Sequence, residues 1–375
     1  MGRRLVYAVS ICALVYDIIF VSASQWVQTL SIDESFQTSM DTNHDSSIVA
    51  IGRQSCPNCN NDEDHKLGLV KVYKKEDNDE WNLLGQKIRG SDKESLFGHA
   101  VSLSADGFTL AVGAHHYDES NLQQTYNGKV FVYKINLDDN RWNRIDGVGM
   151  GNTKNLLGYS VSLSADGSIV GFGAPMSGDR NGFARVYSLN DEGNDWSLLS
   201  STALTDPQSN SRYGTSVSLS ADGYTIAVGA PDYYRDYDED KVYNGCVRVY
   251  NYATSSQKWL MLGQAIMGDH SKSQMIGMST SLSSDGHILA VGGYKFPNGL
   301  VRVYKFNTTS EHWIQLGEDI IGNQDRTGSY NTISLSDDGT ILAVGSPISD
   351  GEGKVRVYSL NIATPSQWDQ VGETV

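Results

Sequence analysis

The sequence predicts an all-β fold: a β-propeller of four-stranded antiparallel blades, six in number, with seven as the alternative. Three observations carry this. One phrase recurs, as VSLSADGFTLAVGA from Val101, VSLSADGSIVGFGA from Val161 and VSLSADGYTIAVGA from Val217. Its aspartate falls at Asp45, Asp106, Asp166, Asp222, Asp285 and Asp338, 53 to 63 residues apart. The seven tryptophans, Trp26, Trp81, Trp142, Trp196, Trp259, Trp313 and Trp368, all occupy one further slot of the same repeat. Self-similarity at such a period marks a repeat architecture.

Each unit parses into four strands. Strand a is VSLS. Strand b, as in TLAVG, is apolar on both sides. Strand c ends in tyrosine: Tyr73, Tyr133, Tyr187, Tyr250, Tyr304 and Tyr358. Strand d carries the tryptophan. Strands apolar on both sides need cover on both faces. Radially arranged sheets provide it, because each blade is sandwiched between two others. Six a–b–c sets stand against seven d strands, so either the Trp26 or the Trp368 strand closes the ring.

The chain has 375 residues, of which 39% are hydrophobic and 19% charged. The net charge of −15 repels phosphate backbones, which excludes a nucleic-acid partner. Arg3 and Arg4 precede an apolar run from Leu5 to Phe20, and Val21-Ser22-Ala23 resembles a small-residue cleavage site. Residues 1–23 therefore read as a signal peptide, and 24–375 as one propeller domain of six repeats. The protein is expected to be secreted or at the cell surface. An uncleaved N-terminal anchor is the alternative, and no later stretch is long enough to span a membrane. Cys56 and Cys59 flank a short loop and read as a local disulfide or a pair of thiols. Asn307-Thr308-Thr309 is an N-glycosylation sequon.

Phe97-Gly98 and Tyr213-Gly214 precede strand a, while Gly173-Ala174-Pro175 and Gly229-Ala230-Pro231 follow strand b. This pattern resembles the FG-GAP repeat of integrin α-chain propellers and of secreted microbial and algal proteins. Blades one, five and six depart from it at Arg53-Gln54, Gly293-Tyr294 and Ser329-Tyr330. The resemblance implies a calcium loop, D-x-N-x-D-G, between strands a and b. Blade two puts Ser102, Ser104 and Asp106 in those slots and Leu110 where a last carboxylate would stand. Calcium takes six to eight oxygens, several from carboxylates, so Asp-Gly reads there as a hairpin turn. Blade one restores the spacing with Asp41, Asn43 and Asp45. A weak calcium site is expected in this first repeat alone, and no other cofactor.

The b–c loops vary in length, and such variation on a fixed scaffold is where specificity usually resides. In blade four Asp232, Tyr233, Tyr234, Asp236, Tyr237 and Asp238 mix aromatic contact area with carboxylates. In blade two His116, Tyr117 and Asp118 do so. His115 and His116 are adjacent and expected to diverge, so a shared ion is not expected. No nucleophile motif or acid pair stands out. The expectation is a non-enzymatic propeller that binds a protein or glycan through its b–c loops. The alternatives are an extracellular carbohydrate-active enzyme and a structural wall or matrix protein.

Overall fold

In the computed structural model the described residues are 5–6, 17–22, 25–31, 39–54, 67–91, 95–116, 127–145, 148–149, 155–237, 240–269, 273–295, 298–322, 333–349, 352–361 and 367–372. They form six radial sheets, each antiparallel in the order a-b-c-d. Blade one is Ser39–Thr42, Ile48–Arg53, Leu69–Lys75 and Trp81–Leu83. Blade two is Ala100–Leu103, Thr109–Ala114, Lys129–Asn136 and Arg141–Ile145. Blade three is Ser160–Leu163, Ile169–Ala174, Phe183–Leu189 and Trp196–Leu198. Blade four is Ser216–Leu219, Thr225–Ala230, Cys246–Ala253 and Lys258–Met261. Blade five is Ser279–Leu282, Ile288–Lys295, Asn298–Asn307 and His312–Gln315, and blade six Ile333–Leu335, Ile341–Ser349, Glu352–Leu360 and Trp368–Val371. Trp368 thus supplies the outer strand of blade six. The Trp26 strand, Gln25–Ser31, lies instead in a separate three-stranded sheet with Leu5–Val6 and Asp17–Ser22.

The core sits between blades, as two-sided apolar strands require. Every residue of strand b is buried in blades one to four. One apolar cluster joins blades one and two through Ile48, Val70, Leu110 and Phe131, and another joins five and six through Val301, Ile320, Leu342 and Trp368. The tryptophans lock neighbours together. Trp142 Nε1 donates to the Leu84 carbonyl of blade one, Trp313 Nε1 to Leu262 of blade four, and Trp368 Nε1 to Leu316 of blade five, each at 2.8 Å. In these three the acceptor is the leucine of the W-x-x-L-G phrase one blade back. This explains the recurrence of both halves.

The paired glycines of the repeat also have a physical cause. A Cβ on Gly52, Gly113, Gly173 or Gly229 would lie 2.3, 2.0, 1.9 or 2.1 Å from the carbonyl oxygen of Gly98, Gly158, Gly214 or Gly277 in the next blade. The backbones meet where a side chain would separate them.

Around the axis the a–b turns hydrogen-bond in sequence. His44 N–H donates to Ala105 O, Ala105 to Ala165, Ala165 to Ala221, Ala221 to Ser284 and Ser284 to Asp337, at 2.8–3.0 Å. His44 Nδ1 then meets Asp337 Oδ2 at 2.5 Å, joining blade one to blade six. These bonds draw one end of the central channel tight. In each turn the aspartate serves its own loop. Asp106 Oδ1 accepts from Ser104 Oγ and from Phe108 N–H at 2.9 Å, and Gly107 takes a φ of 75°.

Candidate functional site

The opposite end of the channel carries the b–c and d–a loops. They are tied pairwise, as by His116 N–H to Ser95 O and Asp232 N–H to Ser211 O. The tight end forms a floor. Just above it a ring of side chains bridges consecutive a strands. Ser102 Oγ accepts the N–H of Leu163 at 3.1 Å, Ser162 that of Leu219 at 3.0 Å, Ser218 that of Leu282 at 2.9 Å and Ser281 that of Leu335 at 2.9 Å. Blade one breaks the series: Asp41 Oδ2 takes the Leu103 N–H at 2.7 Å. Asp41 is half-buried, on the innermost strand of its blade. Desolvation pushes its pKa up to about 6, against hydrogen bonds from Leu103, Thr42 and Ser102.

Near the open end, blades two and three place an aromatic cluster at the inner edge. His99 directly precedes strand a of blade two and His115 directly follows strand b. Their ring centroids are 4.1 Å apart, edge to face. Tyr159 of blade three lies 5.0 Å from His99 and 5.2 Å from His115, and His116 lies 4.6 Å from His115. Gln54 of blade one reaches His99, its Oε1 3.2 Å from Nδ1. With Oε1 accepting, His99 carries its proton on Nδ1 and leaves Nε2 as a base.

Both imidazoles are held neutral. Burial, aided by the neighbouring His116, lowers His99 to about 4. Burial, with His99 and His116 beside it, takes His115 well below the ordinary value. His115 is 4% exposed, and its Nδ1 has no hydrogen-bond partner. An unpaired buried ring nitrogen costs stability unless water or a ligand group supplies the partner. Among the described residues no three His, Cys, Asp or Glu side chains are placed to share a metal ion. The cluster offers neutral imidazoles.

The residues expected from sequence fare unequally. Asp41 faces blade two. Asn43 and Asp45 serve their own turn, Asn43 Oδ1 accepting from Ile48 N–H and Asp45 Oδ1 from Asn43 Nδ2 and Ser47 N–H. The blade-four loop is a hairpin of Tyr234–Tyr237 with Asp240–Tyr243. Its base is occupied internally: Asp232 pairs with Arg212 at 2.8 Å, Tyr233 lies against the Arg248 guanidinium, and Tyr234 meets Tyr243 edge to face. Asp236 and Tyr237 lie on that hairpin. Tyr117, Asp118, Asp238, Cys56 and Cys59 lie outside the described residues. Asn307 is exposed at the end of strand c in blade five, its Oδ1 accepting from Thr309 and Ser310 N–H. Of the ligand candidates only His116 belongs to the imidazole cluster. Gln54, His99 and Tyr159 escaped the sequence reading, which expected His115 to diverge from His116, whereas their rings lie 4.6 Å apart. One signal was available: Gln54 and His115 stand where blades three, four and six place Pro175, Pro231 and Pro347.

The Kelch motif matches residues 277–318, the a-to-d span of blade five. No curated protein matches the sequence. Similar solved structures are propellers of nearly the same extent. The periplasmic gluconolactonase of Pseudomonas aeruginosa is 15% identical with a TM-score of 0.64, over 96% of this chain and 91% of that one. A Bacteroides uniformis protein, described provisionally as a 6-phosphogluconolactonase, is 12% identical with a TM-score of 0.63, over 95% and 91%. A Bacteroides fragilis protein of the same provisional description is 12% identical with a TM-score of 0.63, over 99% and 93%.

These likenesses correct the expectation of a non-catalytic binding and adhesion module, and with it the reading of the chain as no enzyme. The architecture is one that carries lactone hydrolysis in the Pseudomonas protein. The missing sequence motif was a poor guide for a physical reason. Gln54, His99 and Tyr159 come from three blades, so the site is not contiguous in sequence.

Proposed function

We propose that the chain is an extracytoplasmic hydrolase that opens sugar-derived lactones at the imidazole cluster of blades one to three. The observation that carries this reading is the desolvated, neutral His99–His115 pair, with His115 Nδ1 unpartnered. Lactone opening needs a base for the attacking water and a proton for the departing ring oxygen. An unprotonated imidazole takes a proton from water as the oxygen bonds to the carbonyl carbon. The ring C–O bond then breaks, and the imidazolium returns the proton to the alkoxide, giving the hydroxy acid. Gln54 holds His99 in the tautomer that leaves Nε2 free, and Tyr159 covers the pair. The extracytoplasmic placement follows the basic-then-apolar N-terminus and the periplasmic Pseudomonas protein. The repeats are best described as FG-GAP-like, since the glycine pairs that meet across the blade seams are those of the FG and GAP phrases.

The test is hydrolysis of glucono-δ-lactone, followed by proton release in a pH-stat against the spontaneous rate. His115→Gln introduces the residue that blade one carries at this position, so the fold should hold. It is expected to lower kcat/KM by about 100-fold or more, the usual contribution of a positioned base. The acid limb of the wild-type rate should fall near His99's value of about 4 rather than at 6.5, because the base stays unprotonated down to that range. A wild-type rate equal to the spontaneous one removes the proposal.

A further inference from the structure

We infer that Asp41 makes this channel selective for uncharged polyol lactones over their phosphorylated counterparts, by accepting a substrate hydroxyl at the floor. The inference rests on the lactonase reading above. Its own support is a departure from the repeat. Four blades bridge their a strands with a serine, Ser102, Ser162, Ser218 or Ser281, and blade one does the same job with a carboxylate. The bridge alone does not call for the acid, because a hydroxyl suffices elsewhere.

The carboxylate has capacity to spare. Its oxygens offer about four lone-pair sites. Thr42 N–H donates to Oδ1, Leu103 N–H to Oδ2, and the Ser102 hydroxyl also donates to the group. One site remains, on a half-buried side chain of the strand that lines the channel. Asp41 sits at the level of Ser102, three residues along strand a from His99. At about 3.3 Å per residue that is a depth of roughly 10 Å. A six-carbon lactone whose carbonyl lies against the imidazoles directs its distal hydroxyl toward this floor.

A phosphate on that distal carbon would instead meet a like charge. Little in the cluster would offset it, since Gln54 and Tyr159 are uncharged side chains and His99 and His115 are held neutral, which leaves His116 alone. The whole chain carries −15. Rejection by an uncompensated charge is a stronger discriminator than a lost contact.

The experiment compares kcat/KM for glucono-δ-lactone and 6-phosphoglucono-δ-lactone in the wild type and in Asp41→Ser, the residue the other blades use. The wild type is expected to prefer the unphosphorylated lactone. In Asp41→Ser the KM for that lactone should rise about 10-fold, as for loss of a hydrogen bond to a charged group. The variant should also gain on the phosphorylated lactone, so that the preference narrows by about 10-fold or more. Hydrolysis of both lactones with a ratio unmoved by the substitution overturns this inference alone, as does a wild-type preference for the phosphorylated one. Hydrolysis of neither removes the lactonase reading and this inference with it.

Discussion

Gly173→Ala is expected to destabilise the propeller by roughly 3 kcal/mol or to prevent folding, at the upper end of what overpacking costs. The added Cβ would lie 1.9 Å from the Gly214 carbonyl oxygen and 2.6 Å from Ser160 Oγ. The serine can rotate away, but the carbonyl belongs to backbone of the next blade. Relief requires the blade three–four seam to open, and that seam also holds the Ser160 hydroxyl to Gly214 O at 3.0 Å. Two residues earlier, Gly171→Ala serves as the control. Its Cβ would meet only the Ile226 and Leu219 side chains, at 3.2 and 3.4 Å. Blades two and four already carry Ala111 and Ala227 at that position. Urea melts of the two variants should differ widely, with Gly171→Ala near wild type. Similar melts for both would show that the glycines are not seam contacts.

Asp41→Ser is expected to stabilise the protein at neutral pH and to lose that advantage in acid. The sign follows from proton binding. Asp41 has a raised folded pKa, about 6 against an ordinary value of 3.8. Between those values the folded state holds a proton that the unfolded state has released. Stability therefore falls as pH rises from about 4 to 6, and the penalty persists above 6. A shift of that size corresponds to roughly 2–3 kcal/mol. The serine variant escapes the penalty while keeping the bridge to Leu103. Its gain in Tm should be full at pH 7.5 and vanish near pH 4. The buried histidines act in the opposite sense over part of this range. His99 binds its proton only near 4, so it removes stability as pH falls below 6.5. The wild-type curve thus mixes the two effects, and only the difference between wild type and variant isolates Asp41. A Tm difference that does not change with pH would mean that Asp41 is not desolvated in the fold.

The architecture was legible because the repeat encodes packing. The tryptophan slot recurs because an indole N–H finds the leucine carbonyl one blade back, as Trp142 does with Leu84. The Asp-Gly phrase recurs because Asp106 closes its own turn. These are local or nearest-neighbour relations that recur from unit to unit. The site was illegible for the converse reason. Gln54, His99 and Tyr159 come from three different blades, and their proximity depends on ring closure. The blade-four loop drew attention by composition, yet Asp232 and Tyr233 are engaged by Arg212 and Arg248 of the same blade. Departures from the pattern were more informative than its richest loop. Histidine at 115 in place of proline and aspartate at 41 in place of serine are two such departures.

The central claim is that burial keeps two imidazoles neutral and available at the open end of the channel. Titration of the ring resonances of histidine-labelled protein by NMR tests it directly. The account predicts that His99 and His115, assigned through His99→Gln and His115→Gln, stay in the neutral form down to about pH 5, below the ordinary histidine range. Midpoints near 6.5 for both rings would place them in open solvent and contradict the account.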